Sequence, residues 1–259
     1  MKKRNLLITM FLTFVWLAAP LAVLADSHEP AGNVSDSWYI MPKDGMNEEF
    51  VAAFKEHIAY RAEQGDPRDW STYVPTVGSY MGYYIVRYCC STWAERDAYD
   101  EWNAESKAGD HFNENVDPYV QKYKHYLGEV DFENSNWPDD GSDHSLVGVT
   151  RWHPKPGMGR TITETKNKMS EMAKEHGWPF HWAWSWRIGG EGSLSLASPY
   201  KNWAGMADPE QSFYEFLAEK MESEEEAGTL LNTFSTSFEN STYTIYRRID
   251  DMSMEHNED

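Results

Sequence analysis

Trp38-Tyr39-Ile40-Met41 followed by Pro42-Lys43-Asp44-Gly45 reads as a short strand stopped by a turn. The same device recurs where a strand over Leu146 to Trp152 meets Pro154-Lys155-Pro156-Gly157. Downstream of the first, Phe50, Phe54 and Ile58 stand at helical spacing up to a stop near Gly65. Trp70 to Val77 and Tyr80 to Tyr88 are β-rich, with Gly78 as the hairpin turn between them. A second helix is expected from about Thr92 to Ala104, a further helical piece over Val116 to Tyr123, and a closing strand from Lys124 to Phe132. The second half replays this order. Ile162, Met169 and Met172 share one side of a helix that finishes at Gly177, and Phe180 to Ile188 pairs with Ser193 to Ala197 around Gly189-Gly190. Trp203 opens the next helical region, Asp208-Pro209 reads as a cap and first-turn proline, and Ser241 to Ile249 is the last strand. Gly78 and Gly189 lie 111 residues apart, and Trp93 and Trp203 lie 110 apart. Matching element order at matching offsets indicates an internal duplication.

The chain divides accordingly. Lys2, Lys3 and Arg4 precede an apolar run from Asn5 to Val23, and Val23-Leu24-Ala25 offers small residues at the positions a signal peptidase reads. Residues 1–25 are therefore expected to be a cleaved leader, and the protein periplasmic or secreted, with no membrane attachment after cleavage. A flexible N-terminus over 26–36, a first unit over 37–132, a linker over 133–144, a second unit over 145–250 and a flexible tail over 251–259 complete the division. The linker, Glu133 to His144, lacks the acidic spacing and terminal Glu of an EF-hand loop.

The formal charge is −19, and loss of the three basic residues in the leader leaves the remainder near −22. Such an excess of negative charge argues against nucleic acid or anionic lipid as a partner. The two cysteines, Cys89 and Cys90, are adjacent. Neighbours on a strand point to opposite faces, so they are not expected to pair without distorting the backbone, and at least one should be buried. A CxxC pair, an HExxH motif, a Gly-rich phosphate loop and a nucleophile elbow are all missing, and no metal site is expected.

A β-α-β-β-α-β unit is the ferredoxin-like arrangement, with helices on one face of an antiparallel sheet. Two such units can bury their bare faces against each other, which predicts an α+β fold with the units packed sheet to sheet as a barrel within one chain. That architecture resembles the dimeric α+β barrel superfamily. With barrel closure achieved inside the chain, an oligomer is not required.

The strand Phe180-His181-Trp182-Ala183-Trp184-Ser185-Trp186-Arg187-Ile188 has two contrasting faces. One carries Phe180, the three tryptophans and Ile188. Each tryptophan hides roughly 200 Å², so these rings belong under the helices or in a ligand chamber. The other face carries His181 and Arg187, separated by small Ala183 and Ser185. With Arg87 on the corresponding strand of the first half, these make a cationic wall suited to a carboxylate or an electron-rich aromatic. A small apolar or aromatic ligand held between the two sheets is the function expected from this wall. A filled barrel acting only as an interaction module is the alternative.

A second constellation is Trp93-Ala94-Glu95-Arg96-Asp97-Ala98-Tyr99-Asp100-Glu101-Trp102, then His111-Phe112. It resembles the third strand and second helix of the antibiotic-biosynthesis-monooxygenase-like barrels, and within them the small haem-degrading monooxygenases. The resemblance implies haem as a cofactor with His111 as its axial ligand, Trp102 beside it, and a haem-degrading or cofactor-poor oxygenase activity. Trp38 stands where that family places an Asn. The second half has Ser212 in place of the second Trp, and no histidine follows it. Residue chemistry alone predicts no cofactor.

Overall fold

The computed structural model describes residues 32–138 and 144–254. The leader expected over 1–25 lies outside the described residues. Among the described residues are eight strands, in the expected order, and six helices. They are β1 (Val34–Pro42), α1 (Asn47–Glu63), β2 (Ser71–Val77), β3 (Tyr84–Ser91), α2 (Trp93–Glu105), α3 (Ala108–Asn115) and β4 (Val120–Asn136) in the first half. The second half has β5 (Leu146–Pro154), α4 (Gly159–Glu175), β6 (Trp182–Ile188), β7 (Leu194–Tyr200), α5 (Phe213–Lys220), α6 (Glu224–Thr236) and β8 (Phe238–Arg248).

The strands close a barrel in the order β1-β3-β2-β8-β5-β7-β6-β4. Within it, β4-β1-β3-β2 and β8-β5-β7-β6 are the same ferredoxin-like order written twice. The fold is thus α+β, with two half-sheets opposing their helix-free faces. The halves are also joined edge to edge. Tyr73 pairs with Arg248 where β2 meets β8, and Leu127 with Ile188 where β4 meets β6. Among the described strands, closure leaves no edge strand. Because every pairing is antiparallel, the starts of β1, β2, β5 and β6 share one rim with the ends of β3, β4, β7 and β8.

Each half packs its helices on the outer face of its sheet. Phe50, Phe54 and Ile58 of α1 are buried with Ile40 and Val86, and Ile162, Met169 and Met172 of α4 with Trp184 and Leu194. Each such side chain contributes about 1.5–3 kcal/mol of burial free energy. Thr92 caps α2 and Ser212 caps α5, each in a reciprocal capping box with the Glu three residues on. No helix of the described residues is long and apolar enough to cross a membrane.

Several expectations need correction. The strand β4 begins at Val120, and only a turn of 3-10 helix over Asp117–Tyr119 stands where helix was expected. It also runs past the expected linker start, because Asn136 still pairs with Trp182 of β6. Residues 34–36 are strand and not flexible, with Val34 buried. Residues 251–254 are no frayed tail either. Met252 and Met254 are buried in the first half's core, and Thr72 Oγ1 donates to the Met252 carbonyl at 2.6 Å. The β2–β3 connection is longer than a Gly78 hairpin, since Tyr80 takes a positive φ and β3 starts at Tyr84. Asp208-Pro209 does not start a helix; the capping box moves the start to Phe213. Finally, Cys89 and Cys90 are joined as a disulfide across a cis peptide bond, and neither is buried.

Candidate ligand chamber and flanking clefts

Side-chain alternation along the closed barrel sends one residue in two into the lumen. Ser35, Ser37 and Tyr39 of β1, Ile85 and Arg87 of β3, and Tyr126, Gly128 and Val130 of β4 line it from the first half. Val147, Val149 and Arg151 of β5, Ala183, Ser185 and Arg187 of β6, Ser195 and Ala197 of β7, and Tyr246 of β8 line it from the second. These walls enclose about 690 Å³. Small residues face one another at its waist: Ala183 pairs with Ala197 and Ser185 with Ser195. Their size is why the lumen is hollow.

The two ends of the lumen differ. At one, Tyr39 and Tyr83 are buried in a cluster with Tyr80 and Tyr126, which plugs the barrel. Tyr39 meets Tyr126 edge to face at 5.4 Å. At the other rim, Phe132 and Cys89 are exposed while lining the same cavity, so the lumen opens to solvent there.

Arg87 and Arg187 both reach the lumen. His181 does not. It precedes β6, where the alternation has not begun, and its Nδ1 lies 3.1 Å from the Asn136 carbonyl on the helix side of the sheet. Arg151 and Tyr246 were missed. Val147, Val149 and Arg151 alternate along one face of β5, which is the same signal that exposed Arg187.

The three tryptophans lie on the helix side, as core. Trp182 and Trp184 are buried, with indole N–H groups donating to the Asn134 carbonyl at 2.8 Å and to Ser170 Oγ at 3.0 Å. A cleft of about 550 Å³ remains between this sheet face and the helices, walled by Trp152, Trp178, Trp182, Trp184, Phe213 and Phe234, with His181 also on its wall.

The equivalent cleft of the first half, about 360 Å³, is polar by comparison. Asp36 is buried there with Arg68 Nη1 at 3.2 Å, Arg96 Nη1 at 2.5 Å and His125 Nε2 at 2.7 Å. Burial raises the Asp36 pKa, but the hydrogen bonds and charges of His125 and Arg96 outweigh it and hold the carboxyl below its ordinary value. His57 is lowered as well, which for a base favours the neutral form. Burial, then the charges of Arg61 and His111, lower it to about 3. Tyr99, buried, is raised to about 12; its hydroxyl accepts from Trp70 Nε1 at 3.1 Å and from Arg61 Nη2. Trp38 lines this cleft, stacked at 4.0 Å on His125.

Trp102 and His111 come near each other's neighbours but not onto the cleft wall. Trp102 stacks on Tyr99 at 5.3 Å beneath the Arg61 guanidinium. His111 stacks on Tyr60 at 4.1 Å, and its Nδ1 lies 3.1 Å from His57 Nδ1. His57 is on the wall, with its second ring nitrogen 3.3 Å from Arg61 Nη1. An axial ligand needs a free imidazole nitrogen facing the cavity. Among the described residues this cleft offers none on its wall, so the arrangement does not fit a haem held by His111.

No protein-family model matches the chain, and no curated protein matches it in sequence. Solved structures do. A candidate monooxygenase from Lactobacillus acidophilus NCFM superposes with a TM-score of 0.53 and 8% identity, over 85% of this chain and 95% of its own. A candidate monooxygenase from Fusobacterium nucleatum subsp. nucleatum ATCC 25586 gives 0.53 and 10% identity, over 85% and 93%. At such identities the likeness is one of fold. The chain has the dimeric α+β barrel fold, with both halves of the barrel in one polypeptide.

Proposed function

We propose that this protein binds a small molecule with an aromatic or apolar body in the lumen between its two half-sheets. The observation that carries this reading is the lumen itself: about 690 Å³, walled by both halves and open at one rim. Ligand sites typically span roughly 300–1,000 Å³, mostly apolar with a few convergent polar groups. Ile85, Val130, Val147 and Val149 supply the apolar surface and the lumen arginines the polar groups. A hollow barrel also weighs against a purely surface-acting module with a filled interior. Native mass spectrometry of the protein isolated from its own source tests the proposal. A retained mass that is lost when Ala197 is replaced by Phe supports it, and a retained mass indifferent to that change sinks it.

A second reading places oxygenase chemistry in the second-half cleft. It is favoured by that cleft's six aromatic rings, which suit a planar aromatic substrate, and it accords with the names of the two similar structures. Oxygen uptake on addition of electron-rich phenols would be its signature, and absence of uptake with all of them ends it.

We also propose export. The basic residues, the apolar run and Val23-Leu24-Ala25 together motivate it. N-terminal sequencing of the protein from the producing cell should begin at Asp26, whereas retention of Met1 would contradict cleavage.

A further inference from the structure

The lumen is charged against the trend of the molecule. The chain carries −19 overall. Among the described residues the lumen wall nevertheless holds four arginines, Arg87, Arg151, Arg187 and Arg248, and one carboxylate, Asp69. Arg248 is paired with Asp250 at 3.1 Å. The other three form no ion pair among the described residues. Arg151 is only 8% exposed, and its Nε has no hydrogen-bond partner. Tyr246, 6% exposed and on the same wall, has an unpartnered hydroxyl.

Buried polar groups are nearly always satisfied, and buried charges are nearly always paired. Arg151 breaks that rule outright, and Arg87 and Arg187, half-buried on the same wall, have no carboxylate partner among the described residues. Tyrosine faces compensate part of the charge: Arg187 lies 3.9 Å over Tyr126 and Arg151 5.6 Å over Tyr80. A ring face does not, however, accept the in-plane N–H bonds of a guanidinium, which suit the two oxygens of a carboxylate. Arg87 and Arg187 flank the β1–β4 strand pair. Ser37 is opposite Arg87 and Gly128 opposite Arg187, so the wall between the two guanidinium-bearing strands is built from small residues. Burial also holds Arg87 below its ordinary pKa, as expected for a cation lacking its counter-charge.

We propose that the lumen is a site for an organic carboxylate, its anionic head taken by Arg87 and Arg187 with Arg151 nearby, and its aromatic or apolar body lying against Ile85, Val147 and Val149. This rests on the lumen-ligand reading above and adds the chemical class.

Calorimetric titration of the full chain with naphthoate and with naphthamide, its neutral counterpart, separates the two claims. Wild type should favour naphthoate by about tenfold or more, with rising salt weakening naphthoate alone. Arg87→Met and Arg187→Met should each shrink that preference, and Ala197→Phe should weaken both probes. Equal affinity of wild type for the two probes, with both lost in Ala197→Phe, overturns the carboxylate inference and leaves the lumen reading standing. Binding that ignores Ala197→Phe, or no binding of either probe, overturns both. The wild-type comparison and its salt dependence decide the matter even where an arginine variant fails to fold.

Discussion

Arg151 and Tyr39 meet inside the barrel, Arg151 Nη2 donating to the Tyr39 hydroxyl across 3.4 Å. Each stands three residues before the proline that ends its strand, Pro42 in one half and Pro154 in the other. One position of the repeated topology therefore carries a phenol on one side and a guanidinium on the other. The lumen is built by two similar halves but is chemically one-sided.

Arg151 should not be there for stability. Its Nε is unpartnered, and the Tyr39 contact is long for a hydrogen bond. Replacing a poorly compensated buried charge by an apolar side chain is commonly neutral or stabilising, by about 1–4 kcal/mol. Arg151→Met should leave the melting temperature of the ligand-free protein unchanged or raise it. A loss exceeding ~2 kcal/mol in chemical denaturation would show that Arg151 holds the fold together.

Asp36 is the opposite case. Arg68, itself 3% exposed, depends on this carboxylate as its ion-pair partner. Asp36→Asn strands a buried cation and should cost about 3–5 kcal/mol. Because the folded carboxyl is held below its ordinary value, its contribution is present at neutral pH. It disappears only as pH falls below about 4, through the folded value. The stability gap between wild type and variant should therefore be full at neutral pH and narrow progressively as pH falls below about 4, as read from denaturation midpoints across that range.

His57 gives a second pH dependence, in a different window. Its folded value of about 3 lies below the ordinary 6.5, so between those limits the unfolded chain binds the extra proton. Stability should fall as pH drops from about 6.5 toward 3, by about 1.4 kcal/mol per unit. His57→Phe should flatten that slope between pH 6 and 4, as judged against wild type by urea denaturation. An unchanged slope would mean His57 is protonated in the fold.

Lys166 is fully buried on α4 and ion-paired with Asp131. The pair predicts an asymmetry. Asp131→Asn leaves an unpaired ammonium in the core and should cost about 3–5 kcal/mol, whereas Lys166→Met removes the buried charge and should cost less. Equal losses would mean that lost packing, not the stranded charge, sets the cost.

Much of this architecture could be read from the chain. Strand-stopping Pro-Lys turns, helical spacing at Phe50, Phe54 and Ile58, and the alternation around Trp184 each report a local period, and local periods survive into the fold. Alternation along Phe180 to Ile188 points Arg187 at the lumen wall, and Arg87 is expected there only from its strand's place in the first half. What failed depended on distant partners or on breaks in the period. His181 sits just before β6 and so escapes the alternation. Met252 and Met254 look like a frayed end until the first half's core receives them. Trp102 and His111 have the spacing of a ligand pair, but Tyr99, Tyr60 and His57 occupy their rings. Asp36 could not be matched with Arg68, Arg96 and His125 without knowing which strands and helices meet.

The central claim is that the lumen holds a ligand, and titration with anilinonaphthalenesulfonate tests it most directly. Its fluorescence should rise to a single saturable plateau with wild type, and affinity should drop about tenfold or more in Ala197→Phe, whose ring projects into the 690 Å³ lumen. An equal drop is not expected when Ser198, on the wall of the second-half cleft, is replaced by Phe. Identical curves for wild type and Ala197→Phe, or loss only in Ser198→Phe, would contradict the account.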